Sequence, residues 1–339
     1  MTATQGAVAR VKRTEEKASL SRIQASIKDR LDAVTEDIIA AVSHDAPLVA
    51  QMGTHLMAMR GKMFRPTLVL LCSSVADSPE PQAITLGAAV ELIHLATLVH
   101  DDAVDHSVLR RGMPTLNSLF SHQVSVIMGD FLYSTALTKL VSLGDLDALR
   151  ALTRASTEMT VGEMRQLAVS DALSFSEDDY YALIGSKTAS LISASCEIGS
   201  LAGARDHRQA LGAYGTALGM AFQIADDLID YTEQQATTGK PTGLDLKEHK
   251  VTLPLIAALR VMGSNDRRKV DSLIASSEPS DADVRDVIKI VADNGGLDYA
   301  RDRGSLFARE AHEALANVPD TVARTALIES ISYVMERHA

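Results

Sequence analysis

The sequence predicts an all-α protein, a bundle of about ten or more helices, and three observations carry that expectation. Apolar residues recur at helical spacing over almost the whole chain. No stretch alternates with the period of a strand, and there is no Asn-Gly hairpin. Aromatics are only 4% of the residues and Trp is absent, so Leu, Ile, Val, Ala and Met must fill the core. That mix suits helix-on-helix packing better than a β-sandwich.

The elements follow in order. Residues 1–17 combine Arg10, Lys12 and Arg13 with Glu15 and Glu16 and lack an apolar stretch. They read as a flexible tail rather than a signal peptide. Ile23, Ile27, Leu31, Val34, Ile38 and Ile39 trace one amphipathic stripe. Gly61 and Arg65-Pro66 mark a break, with a new helix from about Pro66. Ile84–Val104 is apolar on nearly all sides, as a central buried helix is. Further helical runs cover Val124–Val141, Leu146–Ala168, Glu177–Gly203, Arg208–Tyr231, Leu253–Val261, Asp281–Asn294, Gly296–Ala316 and Asp320–Glu336. Thr232–Thr252, with Gly239, Pro241 and Gly243, is too polar for the core and reads as an exposed, mobile loop. The 339 residues show no clear internal boundary, so residues 18–339 are expected to form one domain.

The net charge of −11 excludes a general binder of nucleic acid or anionic membranes. An anionic substrate would then need local cations or metal. Cys72 and Cys196 lie in apolar helical contexts, as free buried thiols do. With no signal peptide, a reducing, cytoplasmic setting is expected. No segment has about 18 uninterrupted apolar residues, so no transmembrane helix is expected.

Two short acidic clusters carry most of the chemistry: Asp101-Asp102-Ala103-Val104-Asp105 and Asp226-Asp227-Leu228-Ile229-Asp230. Each places carboxylates at i, i+1 and i+4 after an apolar helical run, and i and i+4 share a helix face. Like charges so placed destabilise a helix unless a cation neutralises them. Oxygen-only donors suit Mg²⁺, which also binds phosphate. One such trio is as easily a solvated helix end; two with the same spacing are harder to explain that way. No Cys/His spacing supports zinc.

Phosphate needs further cations. Arg110 and Arg111 follow the first cluster, Lys62 and Arg65 flank a helix start, and Lys187 precedes Thr188. Lys240 and Lys250 bracket the polar loop, and His94 lies two turns before Asp101. Taken singly, the Arg pair reads as solvated surface, His94 as a core histidine and Lys187 as a snorkelling side chain. His100 reads as a supporting group, and nothing in the sequence chooses between Glu163 and Gln166. There is no P-loop, dinucleotide loop or nucleophile elbow.

These segments resemble the trans-isoprenyl diphosphate synthases, or polyprenyl synthetases. The similarity runs through Gly61-Lys62-Met63-Phe64-Arg65-Pro66, Glu91-Leu92-Ile93-His94, the first Asp cluster, Arg110-Arg111-Gly112 and Gly185-Ser186-Lys187-Thr188. It continues through Phe222-Gln223-Ile224-Ala225, the second cluster and Gly239-Lys240 to Lys250-Val251-Thr252-Leu253-Pro254. His249 stands where the family often has Gly.

The resemblance implies a bundle around a deep central cavity, and head-to-tail addition of isopentenyl diphosphate to an allylic diphosphate. It implies three Mg²⁺ ions: Asp101 and Asp105 binding two, supported by Asp102, and Asp226 a third, with Asp227 and Asp230 acting through water or hydrogen bonds. Arg110, Lys187 and Lys240 would hold the allylic diphosphate. Lys62, Arg65, His94 and Arg111 would hold isopentenyl diphosphate. Thr188 and Gln223 would present oxygen dipoles to the reacting carbons, Lys250 would help close the loop, and a homodimer is expected.

Short-chain members carry an aromatic one turn before the first Asp; here Ala96 and Thr97 are small. A hexaprenyl to nonaprenyl product for a quinone side chain follows, with Met128 or Phe131 as floor. The alternatives are a geranylgeranyl or farnesyl diphosphate synthase, a subunit of a heteromeric synthase, a terpene cyclase, or a helical scaffold with acidic patches.

Overall fold

The structure is a computed structural model that describes residues 19–168, 172–232 and 242–336. The N-terminal tail and Lys240 lie outside the described residues. The first half of the chain forms α1 (Leu20–Gln24), α2 (Lys28–Val42), α3 (Pro47–Ala58), α4 (Phe64–Ser73) and α5 (Gln82–Val104). After α5 come strands β1 (Leu109–Arg110) and β2 (Met113–Pro114), then α6 (Leu116–Leu119), α7 (His122–Leu143) and α8 (Leu146–Leu167). Next are α9 (Glu177–Ile184), a π-helical turn (Gly185–Ala189), α10 (Ser190–Leu201) and α11 (Arg208–Thr232). The chain continues through α12 (Leu244–Lys247), α13 (Leu253–Leu259), α14 (Ser264–Ala275), α15 (Asp281–Asp293), α16 (Gly296–Ala314) and α17 (Val322–Met335).

Helix boundaries follow local chemistry. Ser121 Oγ accepts the Val124 N–H at the start of α7, and Asp145 Oδ1 accepts the Asp147 and Ala148 N–H groups at the start of α8. Ser176 and Asp179 form a reciprocal capping box on α9. Pro47 starts α3, an element the sequence reading left out.

The central element is α5. Leu86, Leu92, Ile93, Ala96 and Val99 are all buried, wrapped by α2, α4 and α7. Each of its large apolar side chains contributes about 1.5–3 kcal/mol on burial. Helix α10 packs on α4, α8 and α11, and α11 lies along α16. The larger core cluster spans α1 to α8, α10, most of α11 and α17; a second gathers α9, the end of α11 and α12 to α16. Cys72 and Cys196 are free and buried in the first.

By length and composition, α5 and α7 are each apolar enough to cross a membrane, although neither is an uninterrupted apolar run. Two thirds of the apolar window of α5, and one third of that of α7, is buried within the protein. The polar loop is not wholly exposed: Leu244–Lys247 is helical, and Leu246 is buried in the second core cluster. A two-residue antiparallel hairpin does form, with Leu109 opposite Pro114 and Arg110 opposite Met113. Its turn residues Arg111 and Gly112 both have positive φ, 53° and 75°. That backbone suits a tight hairpin, but Arg is not a residue that announces it.

Candidate active site

The first acidic cluster ends α5. Asp102 is buried, and its carboxylate is clasped by Arg110: Nε lies 2.9 and 3.0 Å from the two oxygens, and Nη2 lies 2.8 Å from Oδ1. The hairpin therefore aims Arg110 back at the helix end. Arg111 reaches the other way. Its Nη1 donates to the Met59 carbonyl at 2.9 Å, and its guanidinium lies across Gly61. A Cβ on Gly61 would come within 2.8 Å of that guanidinium, so a side chain there would displace it.

Arg65, Glu91, His94 and Arg111 meet between α4, α5 and the hairpin. Burial holds His94 well below its ordinary pKa, and the charges of Arg65, Arg111 and Arg110 act in the same direction. The imidazole is therefore neutral at physiological pH. Burial raises Glu91, against the pull of Arg65 and Arg111. Arg65 Nε is buried and has no hydrogen-bond partner among the described residues. A buried orphan donor among further guanidinium groups is what an anion site looks like before its anion binds. Lys62 stands at the rim, donating to Tyr333 Oη (3.1 Å) and lying 5.7 Å from the ring centroid.

The π-helical turn supplies the next group. A π turn shifts the following residues out of α-helical register. It presents Lys187 toward α8, where Nζ lies 2.6 Å from Glu163 Oε2 and donates to Gln166 Oε1 at 3.2 Å. Gly162 makes the approach possible, because a Cβ there would lie 2.4 Å from Ser186 Oγ. Burial pushes Asp101 up to about 6; Lys187 and Arg110 oppose the rise, while Glu163 and Asp105 add to it. Lys187 is thus electrostatically coupled to the first cluster.

The adjacent Thr188 points to the second cluster. Its Oγ1 donates to Gln223 Oε1 (2.8 Å), and Gln223 Nε2 donates to Asp227 Oδ1 (2.8 Å). Tyr180 Oη donates to Asp227 Oδ2 at 2.6 Å, with Tyr180 and Asp227 both buried. Burial raises Asp227 well above the usual carboxylate range, and Asp245 and Asp226 push it further, against the two donors. Asp230 faces its own loop: Oδ1 and Oδ2 accept the N–H groups of Leu244 and Asp245, each at 3.0 Å.

Lys250 links the two acidic ends. Burial alone would lower its pKa, but the hydrogen bond to Glu248 and the charges of Glu248, Asp245 and Asp105 raise it. Burial lifts Asp245 to about 7; Asp230, Glu248 and Asp226 add to the rise and Lys250 opposes it. One ammonium therefore feels an acid of the first cluster and an acid that itself feels the second.

The sequence-predicted residues sort accordingly. Asp101 interacts with Lys187, Arg110 and Asp105, Lys250 with Asp105 and Asp245, and Asp226 with Asp227 and Asp245; Thr188 and Gln223 form a hydrogen-bonded chain to Asp227, and Arg65 and Arg111 bear on His94. Protein donors hold the carboxylates of Asp102, Asp227 and Asp230, and the Gln223 carbonyl oxygen accepts from Thr188. Ala96 and Met128 are buried in the core, Thr97 Oγ1 donates to its own helix at the His94 carbonyl, and Phe131 packs edge-on against His44. A small apolar pocket beside the first cluster is lined instead by Leu95, Leu98 and Val99, with Asp102, Arg110 and Arg111.

Sequence reasoning missed Tyr180, Tyr333 and Asp245. Only Asp245 left a signal, as an acid in the Gly243–Leu246 run next to the second cluster. Among the described residues no three His, Cys, Asp or Glu side chains converge as a finished metal site. The donor chemistry nevertheless fits Mg²⁺: buried, mutually repelling carboxyl groups flanked by an anion pocket lack the positive charge that metal would bring.

The polyprenyl synthetase family profile matches residues 46–291. The chain is 35% identical over 317 residues to the all-trans-nonaprenyl-diphosphate synthase (geranyl-diphosphate specific) of Rhodobacter capsulatus, covering 93% of this chain and 97% of that one. It is 33% identical over 318 residues to the octaprenyl diphosphate synthase of Haemophilus influenzae, covering 93% and 96%. The crystal structure of a polyprenyl synthase from Caulobacter crescentus CB15, complexed with calcium and isoprenyl diphosphate, superposes with a TM-score of 0.90 at 35% identity, covering 96% and 99%. With its fold, its two acidic helix ends and these relatives in agreement, the chain belongs to the polyprenyl synthetase family.

Proposed function

We propose that this protein lengthens an allylic diphosphate by successive head-to-tail additions of isopentenyl diphosphate, giving an all-trans polyprenyl diphosphate of hexaprenyl to nonaprenyl length for a quinone side chain. The observation that carries this reading is the joining of two acidic helix ends by Lys250, beside a pocket of Arg65, His94 and Arg111 with an orphan buried donor. Two relatives named for octaprenyl and nonaprenyl products, and small Ala96 and Thr97 ahead of Asp101, favour a long product over farnesyl or geranylgeranyl.

Asp101 and Asp105 on one side, and Asp226 on the other, would hold Mg²⁺, three ions in all. When bound, Mg²⁺ neutralises the charge that develops on a departing diphosphate. Arg110 and Lys187 hold the allylic diphosphate, joined by Lys240 of the polar loop. Asp102 fixes Arg110, and Glu163 and Gln166 fix Lys187, so these cations are in place before the C–O bond breaks. Lys62, Arg65, His94 and Arg111 grip isopentenyl diphosphate, His94 as a neutral hydrogen-bonding group. Thr188, its hydroxyl donating to Gln223 Oε1, keeps oxygen lone pairs for the allylic carbons. The double bond of isopentenyl diphosphate attacks the allylic cation, and the departed diphosphate takes the proton. Lys250 and the loop before it exclude water from the cation.

Ile127 and Val141 on α7, with Met164 and Leu167 on α8, are each more than 60% exposed. Apolar faces of that kind fit a second copy of the chain, which supports a homodimer. The burial of α5 supports a protein without stable membrane insertion, and the two free, buried thiols support a cytoplasmic location. The test is incubation with labelled isopentenyl diphosphate and geranyl, farnesyl or geranylgeranyl diphosphate, with and without Mg²⁺, followed by product sizing. Hexaprenyl to nonaprenyl products that need Mg²⁺ are expected. Stopping at farnesyl or geranylgeranyl diphosphate would overturn the chain length, and no elongation from any primer would overturn the function.

A further inference from the structure

The third acid of the second cluster is turned onto the backbone of the segment that follows. Asp230 Oδ1 accepts the Leu244 N–H and Oδ2 the Asp245 N–H, each at 3.0 Å, while the Asp230 carbonyl accepts the Gly243 N–H at 2.8 Å. Three consecutive amides are thus gathered on one residue of α11. The segment is pinned again by Leu246, which is fully buried. It then folds back on itself, the Lys250 N–H donating to the Asp245 carbonyl at 2.8 Å. The result is a short arm, Gly243–Lys250, tied at its start to the end of α11 and carrying Lys250 at its other end. Lys250 pairs with Glu248 at 2.6 Å on the same arm.

We infer that Asp230 is a positioning residue, a latch that fixes the Gly243–Lys250 arm and so delivers Lys250 to the site, rather than a ligand of metal. This deepens the proposed synthase reading and rests on it for the catalytic consequence, but not for the latch itself. A carboxylate that takes two backbone N–H groups, one on each oxygen, makes charge-assisted bonds with defined geometry. It also has less lone-pair capacity to offer an ion. The i+4 spacing that suggests a metal trio in the sequence therefore conceals a division of labour: Asp227 serves Tyr180 and Gln223, and Asp230 serves the arm.

The test combines amide exchange with kinetics on the full-length protein. In Asp230→Ala, the Leu244 and Asp245 amides should exchange roughly tenfold or more faster than in the wild type, while buried amides of α5 remain unchanged. Asp230→Asn keeps one acceptor oxygen and should protect one of the two amides. In turnover, Asp230→Ala and Lys250→Ala should lower kcat by comparable factors. The double variant should be no worse than the worse single one, because the latch acts through the lysine. The Mg²⁺ concentration for half-maximal activity should shift less than about twofold in Asp230→Asn. Unchanged exchange at Leu244 and Asp245 in Asp230→Ala would overturn the latch. So would multiplicative losses in the double variant, or a Mg²⁺ requirement raised tenfold by Asp230→Asn. If the wild type elongates no allylic diphosphate, the synthase reading fails while the exchange result still decides the latch.

Discussion

Asp101→Asn should make the ligand-free protein more stable and the enzyme inactive. Burial, reinforced by Glu163 and Asp105, lifts the Asp101 pKa from its ordinary 3.8 to about 6. The folded state thus binds this proton more tightly than the unfolded chain does. The resulting penalty is absent below about pH 4, grows as pH rises, and is complete above about pH 6. A rise of that size corresponds to at most about 3 kcal/mol. Asp101 keeps part of its surface in water, so screening reduces the figure to about 1–2 kcal/mol. At pH 7.5 without metal, Asp101→Asn should raise the Tm by roughly 2–4 °C. The advantage should vanish near pH 4. Adding Mg²⁺ with a diphosphate should stabilise the wild type more than the variant, because only the charged carboxylate gains from the ion. Thermal unfolding between pH 4 and 8, with and without Mg²⁺ and inorganic diphosphate, measures all of this. A variant less stable than the wild type at pH 7.5, or more stable by the same amount at every pH, would refute the reasoning.

Four further outcomes are expected. Tyr180→Phe removes one of the donors that hold buried Asp227, and should cost about 1.5–3 kcal/mol in urea unfolding while lowering kcat more than it changes KM. Glu177 accepts from Tyr181 and Tyr299 and pairs with Arg260, and these partners outweigh burial to hold its pKa below the usual value. Its contribution is therefore complete above about pH 4.5 and lost as pH falls through the depressed folded pKa, so Glu177→Gln should destabilise at pH 7 but converge with the wild type in acid. His249 has φ of 58° and a buried Nε2 without a hydrogen-bond partner among the described residues, so His249→Gly should raise the urea midpoint by the equivalent of about 0.5–1 kcal/mol. Ala96→Phe should shorten the products seen by chromatography, and unchanged lengths would remove Ala96 from the tunnel wall.

The residues differ in how openly their sequence declared them. The α5 helix was legible because its residues are apolar on nearly all sides, and the two Asp trios stood out because acids at such helix ends are expensive. The helix from Glu177 read as continuous, since a π turn leaves the apolar pattern nearly intact; only the pairing of Lys187 with Glu163 reveals the register shift. Tyr180 and Tyr333 were invisible because their partners, Asp227 and Lys62, lie 47 and 271 residues away. The spacing of the Asp trios did not reveal their protein partners: Arg110, Gln223 and the Leu244 and Asp245 amides take three of the six carboxylates. The one departure from the family pattern is explained by backbone: position 249 sits in the left-handed region, where Gly is at ease and His is strained.

A crystal structure of the protein with Mg²⁺ and a thiolo analogue of an allylic diphosphate, which cannot ionise, would test the shared site most directly. It should contain one diphosphate bridged by metal to Asp101 and Asp105 on α5 and to Asp226 on α11, with Arg110, Lys187 and Lys250 around it. A diphosphate held by one helix end alone, with the other turned to solvent, would contradict the account.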